Sequence, residues 1–98
     1  MTVLDRTELV IETRGGEPYA YYPLGEYIVV APGVCGGRPT FKGTRLEAQV
    51  VLDLIAADWS HERIIDEYRT DQLTSEAIAE AVRLAASALR RSAAAIAA

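Results

Sequence analysis

The stretch GVCGGRPTFKGTR, Gly33–Arg45, sets four glycines, one proline and three cations in thirteen residues without an acid. It stands where the hydrophobic pattern of the chain changes period. Upstream lie β-branched and aromatic runs; downstream the apolar residues fall at helical spacing. Two readings compete for it, a loop that cradles an anion and a tight structural turn. A phosphate loop needs its lysine after the last glycine, directly before Ser or Thr, between a strand and a helix. Here Lys42 precedes Gly43, and the glycines do not form the dinucleotide-binding fingerprint. The turn reading accounts for more of the residues. Gly36 and Gly37 permit positive φ, Pro39 fixes an extended bend, and Gly43 lets the chain swing into a helix. Thr44 then stands as a helix cap, with Glu47 completing a capping box T-R-L-E. Arg38, Lys42 and Arg45 remain, and they form a small positive patch for phosphate or for a partner's carboxylates.

Outward from this junction, ELVIET and PYAYY flank RGGE, a hairpin signal, and EYIVV follows the turn PLG. The β character extends over Thr7–Val30. Downstream, Val50, Val51, Leu54 and Ile55 give an apolar stripe to a helix over Leu46–Ala57, with Glu47, Asp53 and Asp58 outward. Ser60 caps a second, short helix ending near Tyr68, and Trp59 with Ile64 has the spacing of a hydrophobic staple. Thr74 caps a third, with Leu73 and Ile78 as its staple and Glu76 in its first turn. Its stripe of Ile78, Val82, Ala85 and Leu89 runs to about Arg90, and the tail SAAAIAA extends the helix and frays.

The expected fold is therefore mainly α with a small N-terminal β element (α+β). A tri-helical, helix-turn-helix-like unit follows a β-hairpin or small antiparallel sheet. One domain spans 1–98: a β-rich arm at 1–32, the basic loop at 33–45, three helices at 46–91 and a frayed tail at 92–98.

Composition narrows the function. The net charge is -4 and the pI about 4.9, so the surface as a whole does not attract nucleic acid. Cys35 and His61 are single copies, which disfavours zinc sites, Cys–His pairs and Ser-His-Asp triads. Cys35 near Arg38 favours a thiolate but lacks a neighbouring base, and His61 in a first helical turn reads as a neutral surface residue. No catalytic, cofactor or metal residues are assigned, and the chain reads as a non-enzyme. Without an apolar stretch of spanning length or a signal peptide at Met1, it reads as cytoplasmic.

PGVCGGRPTFKGTRLEAQVVLDLIAADWSHERIIDEY, followed by LTSEAIAEAVRLA, resembles the bacterial and archaeal domain of unknown function 433 family. Its hallmark is a G-x-P-x-I-x-G-T-R segment before a three-helix unit. The resemblance covers Ile28–Leu89, and Gly37, Pro39, Gly43, Thr44 and Arg45 stand at the motif positions. Ala31 stands where an Asp usually precedes the proline, Phe41 replaces an aliphatic residue, and Asp58 replaces a common glycine. The resemblance implies a homeodomain-like or winged-helix-like unit and an antitoxin role beside a PIN-like ribonuclease toxin, with no family-wide catalytic residues.

The leading expectation is thus an antitoxin-like protein–protein interaction module that also binds its own promoter DNA weakly. The third helix would present Ser75, Glu76, Ala77 and Glu80 to the groove, two carboxylates facing phosphates. Arg83, Arg90 and Arg91 lie further along, Arg83 and Arg90 on one face. With Arg38, Lys42 and Arg45 they are the candidate contacts to nucleic acid or partner, and RRSAAAIAA is the segment that folds on a nuclease's carboxylates. The alternative is a dimerising structural domain with no nucleic-acid role, its homodimer formed by an exposed aromatic hairpin face of Tyr19, Tyr21 and Tyr22.

Overall fold

The computed structural model describes residues 8–97. The start of the expected β stretch at Thr7 and the end of the tail at Ala98 lie outside the described residues. Four antiparallel strands come first: β1 Val10–Arg14, β2 Glu17–Pro23, β3 Ile28–Val30 and β4 Thr40–Phe41, in the order β1-β2-β3-β4. Three helices follow: α1 Ala48–Ala56, α2 His61–Tyr68 and α3 Ser75–Ala97. The class is α+β, a small sheet and then helices, as the change of period predicts.

The hairpin forms where RGGE places it. Gly15 and Gly16 take φ of 58° and 85° between paired Arg14 and Glu17. A two-residue turn with both φ positive matches the twist of its strands, and only small residues adopt it without strain.

β4 corrects the sequence reading, in which Gly33–Arg45 is loop throughout. Two residues are too few to show an alternating pattern. They become strand because Phe41 and Thr40 pair with Ile28 and Val29. Ile28 and Phe41 turn to the helices and are fully buried with Val51, Ile64, Leu73 and Ile78. Each such side chain contributes about 1.5–3 kcal/mol relative to exposure. On the other face Val29 joins Tyr21 and Ala31 in a smaller cluster.

Two helix starts follow the expected grammar. Ser60 Oγ accepts from Arg63 N at 3.1 Å, Ile64 is buried, and Trp59 packs on the core beneath the Arg63 guanidinium, 3.6 Å from its ring centroid. Thr74 Oγ1 accepts from Ala77 N at 3.1 Å, with Leu73 and Ile78 both buried. The third start differs. Thr44 Oγ1 donates to Phe41 O at 2.8 Å and accepts from Leu46 N at 3.0 Å, so it closes a turn and no capping box forms. Leu46 and Glu47 are drawn alongside β4: Phe41 N donates to Leu46 O, and Thr40 bridges to Glu47. The helix begins only at Ala48. Asp58, which the resemblance reads as replacing a common glycine, has φ of 71°, the left-handed region that favours glycine.

Helix α3 runs unbroken to Ala97, the tail extending it as expected beyond the stripe that ends near Arg90. Its buried side is Ala77, Ile78, Glu80 and Ala81, with Leu84 packed on the core. Val82, Ala85 and Leu89, expected in the stripe, are exposed. Both sets satisfy helical spacing, and the position of α1 and the β2–β3 turn selects between them. Among the described residues no helix is long and apolar enough to cross a membrane.

Candidate functional site

The glycine-rich segment spends most of its amides internally. Gly37 N donates to Val34 O, Arg38 N to Cys35 O, Lys42 N to Tyr27 O and Thr44 N to Phe41 O. Gly43, at φ 79°, donates its N–H to the Tyr19 hydroxyl at 2.8 Å. Cys35 is a free thiol whose Sγ donates to Arg45 O at 3.3 Å. An anion cradle needs converging unspent amides; these bonds make the segment a structural turn.

Its cations divide. Arg38 forms a two-pronged pair with Glu47, Nε to Oε1 at 3.0 Å and Nη2 to Oε2 at 3.1 Å, and the Glu47 carboxylate holds the guanidinium pKa above its ordinary value. Lys42 Nζ lies 3.2 Å from Glu12 Oε2, which also accepts from the Tyr21 hydroxyl at 2.6 Å. That hydroxyl first, then Lys42, hold the Glu12 carboxyl below its ordinary value. The Tyr21 phenol raises the Lys42 ammonium against the cost of desolvation, and the Glu12 carboxylate adds to the rise. Arg14 stacks over Tyr19 and completes the cluster beside Glu12. Two of the three loop cations are therefore paired within the chain, Lys42 joining the turn to β1 and β2 and Arg38 joining it to the residue before α1. Arg45 makes no ion pair among the described residues.

The hairpin aromatics also depart from expectation. Tyr21 is buried and Tyr19 half-buried against it, with ring centroids 5.1 Å apart; only Tyr22 is exposed. They form an internal stack.

The third helix carries the largest difference. Glu80 was expected to face outward in the recognition turn. It is only 8% exposed, and its carboxylate accepts three successive amides of the β2–β3 turn, Glu26 N at 2.9 Å, Tyr27 N at 2.8 Å and Ile28 N at 2.9 Å. A Cβ on Gly25 would lie 2.5 Å from Glu80 Oε2, so the turn approaches the carboxylate at a residue without a side chain. These three amides are the anion cradle of this protein, and its own carboxylate fills it. One sequence signal exists: Glu80 stands three residues after Ala77 and four before Leu84, on the spacing of the buried stripe.

Beyond Glu80, α3 carries Arg83, Arg90 and Arg91 and no carboxylate. Arg91 donates to Ser87 Oγ at 2.8 Å, whereas Arg83 and Arg90 are exposed and form no ion pair among the described residues. The candidate cations are thus not one patch. On the side of Ala81 and Ala85, α3 and the start of α1 border an open groove of about 890 Å³, floored by Ala48, Leu52, Leu84 and Ala88 and rimmed by the Arg38–Glu47 pair, Gln49 and Arg91. Apolar spacing alone had not marked this groove, because its floor is assembled from two helices. Among the described residues no group of three or more His, Cys, Asp or Glu could hold a metal ion.

A small antiparallel sheet handing over through a Gly/Pro turn to three helices defines the class of this chain. Residues 28–85, more than half of it, match the family described as Protein of unknown function (DUF433), and the chain belongs to that family. The matched span holds β3, the turn, all three helix starts and Glu80, and leaves out the hairpin and the α3 tail. Comparison with curated proteins and with solved structures gave no match.

Proposed function

We propose that this chain is a non-catalytic, cytoplasmic interaction module with an antitoxin-like role, its partner a PIN-like ribonuclease toxin. One observation carries the reading: past Glu80, α3 exposes arginines without a single carboxylate to neutralise them, on a chain of net charge -4. Arg83 and Arg90, seven residues apart on one helical face, suit the clustered carboxylates of a metal-dependent nuclease. Arg45 adds a third cation without an internal ion pair among the described residues.

Autoregulation through DNA is the second element of the proposal, with α2 and α3 as a helix-turn-helix pair. Burial of Glu80 and Ala77 takes both away from the groove and removes one carboxylate from the phosphates. Only Glu76 then remains as a carboxylate among the four residues expected at the groove, and Arg83 and Arg90 are left for phosphates.

Co-expression with the neighbouring gene product tests the partner half. A pull-down recovers the complex with the wild-type chain and loses it with Arg83→Glu/Arg90→Glu, whose melting temperature is unchanged. No complex with the wild type overturns this half. A mobility-shift assay on the protein's own promoter at low salt tests the DNA half, and no shift with or without partner removes it.

A further inference from the structure

From Ala88 to Ala97 every residue of α3 is exposed, Leu89 at 73% and Ile96 at 87%. This is about 15 Å of helix without tertiary cover. A ten-residue helix is marginal in water unless a face is packed. The same face that floors the groove runs into this tail. Ala81, Ala85 and Ala88 recur at spacings of three and four, and Ser92 and Ala95 continue them. Arg83 and Arg90 follow Ala81 and Ala88 by two residues, roughly 200° around the axis, and so point away from it.

We infer that the groove is filled by the α3 tail of a second copy of this chain, and that the two copies exchange tails about a two-fold axis near Ala88. Three features favour a second copy over another occupant. A two-fold contact requires the same surface on both sides, and this face supplies both groove and tail. Antiparallel crossing at Ala88 sets the ten residues of each tail along residues 79–88 of the other copy. The flank carrying Val82, Leu89 and Ile96 then meets its own counterpart, covering the three exposed aliphatic side chains together, while small residues at the crossing allow close approach. The charges agree as well. Residues 46–80 carry nine carboxylates against two arginines, and the tail arrives with arginines alone. Antiparallel pairing brings the basic end of each chain to the acidic helices of the other, with Arg83 and Arg90 turned outward.

The dimer stands independently of the antitoxin reading, which uses the opposite face of α3. It also replaces the hairpin as the dimer surface, since Tyr19 and Tyr21 are spent on each other.

Light scattering on the full chain across a concentration series tests it. The wild type gives twice the 10.7 kDa chain mass. Ala88→Glu and Ile96→Glu, both at exposed positions, keep the circular dichroism spectrum and weaken association by at least about tenfold, equivalent to about 1.4 kcal/mol. In a Cys35→Ser background, Ala88→Cys oxidises to a covalent dimer, whereas Arg83→Cys does not. A wild type that stays monomeric throughout overturns the inference. So does a dimer that survives Ala88→Glu, dissociates only with Tyr22→Glu, or crosslinks through Arg83→Cys.

Discussion

Two glutamates tie distant parts of this molecule together, and they do so in opposite surroundings. Glu80 is closed over by the β2–β3 turn and accepts three successive backbone amides. Glu12, on β1, is partly open to solvent and shares its carboxylate between the Tyr21 hydroxyl and Lys42. Water can replace the second set of bonds at little cost. It cannot enter the first without opening the joint between sheet and helix. The difference teaches that burial, more than the number of bonds, decides which carboxylate the fold depends on. The buried tie lies inside the family-matching span and the exposed one largely outside it.

Removing the buried carboxylate is the strongest way to break the comparison. Glu80→Ala strands three amides and leaves a void, and lowers stability by about 3 kcal/mol. Chemical denaturation would show a midpoint shift of that size, and a shift no larger than that of a surface glutamate would erase the contrast. Gly25→Ala sharpens it. The added Cβ displaces the carboxylate from its amides and destabilises by about 1–2 kcal/mol. That cost falls when the Glu80→Ala change is already present, because the clash and the bonds it breaks are then gone. Additive costs would mean that the turn does not act through Glu80.

The exposed tie has the smallest effect and shows itself through pH. Glu12 is held below its ordinary 4.5, so its contribution is complete above that value and is lost as pH falls through the lowered one. Lys42, held above its ordinary 10.5, contributes below that value and loses its part as pH rises through the raised one. Thermal melts therefore lose slightly more stability on acidification below 4.5 for the wild type than for Glu12→Gln. Parallel pH profiles would show that the cluster is decoration.

How much could be read from residues alone follows the range of each interaction. The Gly15–Gly16 turn, the Ser60 and Thr74 caps and their staples all close within a few residues, and the chain carries their whole cause. Thr44 shows where that logic stops. It sits in a good capping sequence, yet its hydroxyl is taken by Phe41 O because β4 holds the segment extended. Arg38 and Lys42 read as free cations for the same reason: their partners, Glu47 and Glu12, reach them only after the sheet has formed. The Arg83–Arg90 face was legible because nothing folds back on it.

The sequence alone settled the order of sheet and helices, the hairpin turn, two helix starts and the family, since each rests on local backbone geometry or a contiguous motif. Tertiary structure alone decided the strand at Thr40–Phe41, the buried face of α3 and the burial of Glu80. The carboxylate of Glu80 and the amide of Glu26 stand 54 residues apart in the chain. Helical spacing permitted more than one inward face for α3. Only the packing of α1 and the β2–β3 turn against it, and the cost of leaving three amides unpaired, selected the face that is buried.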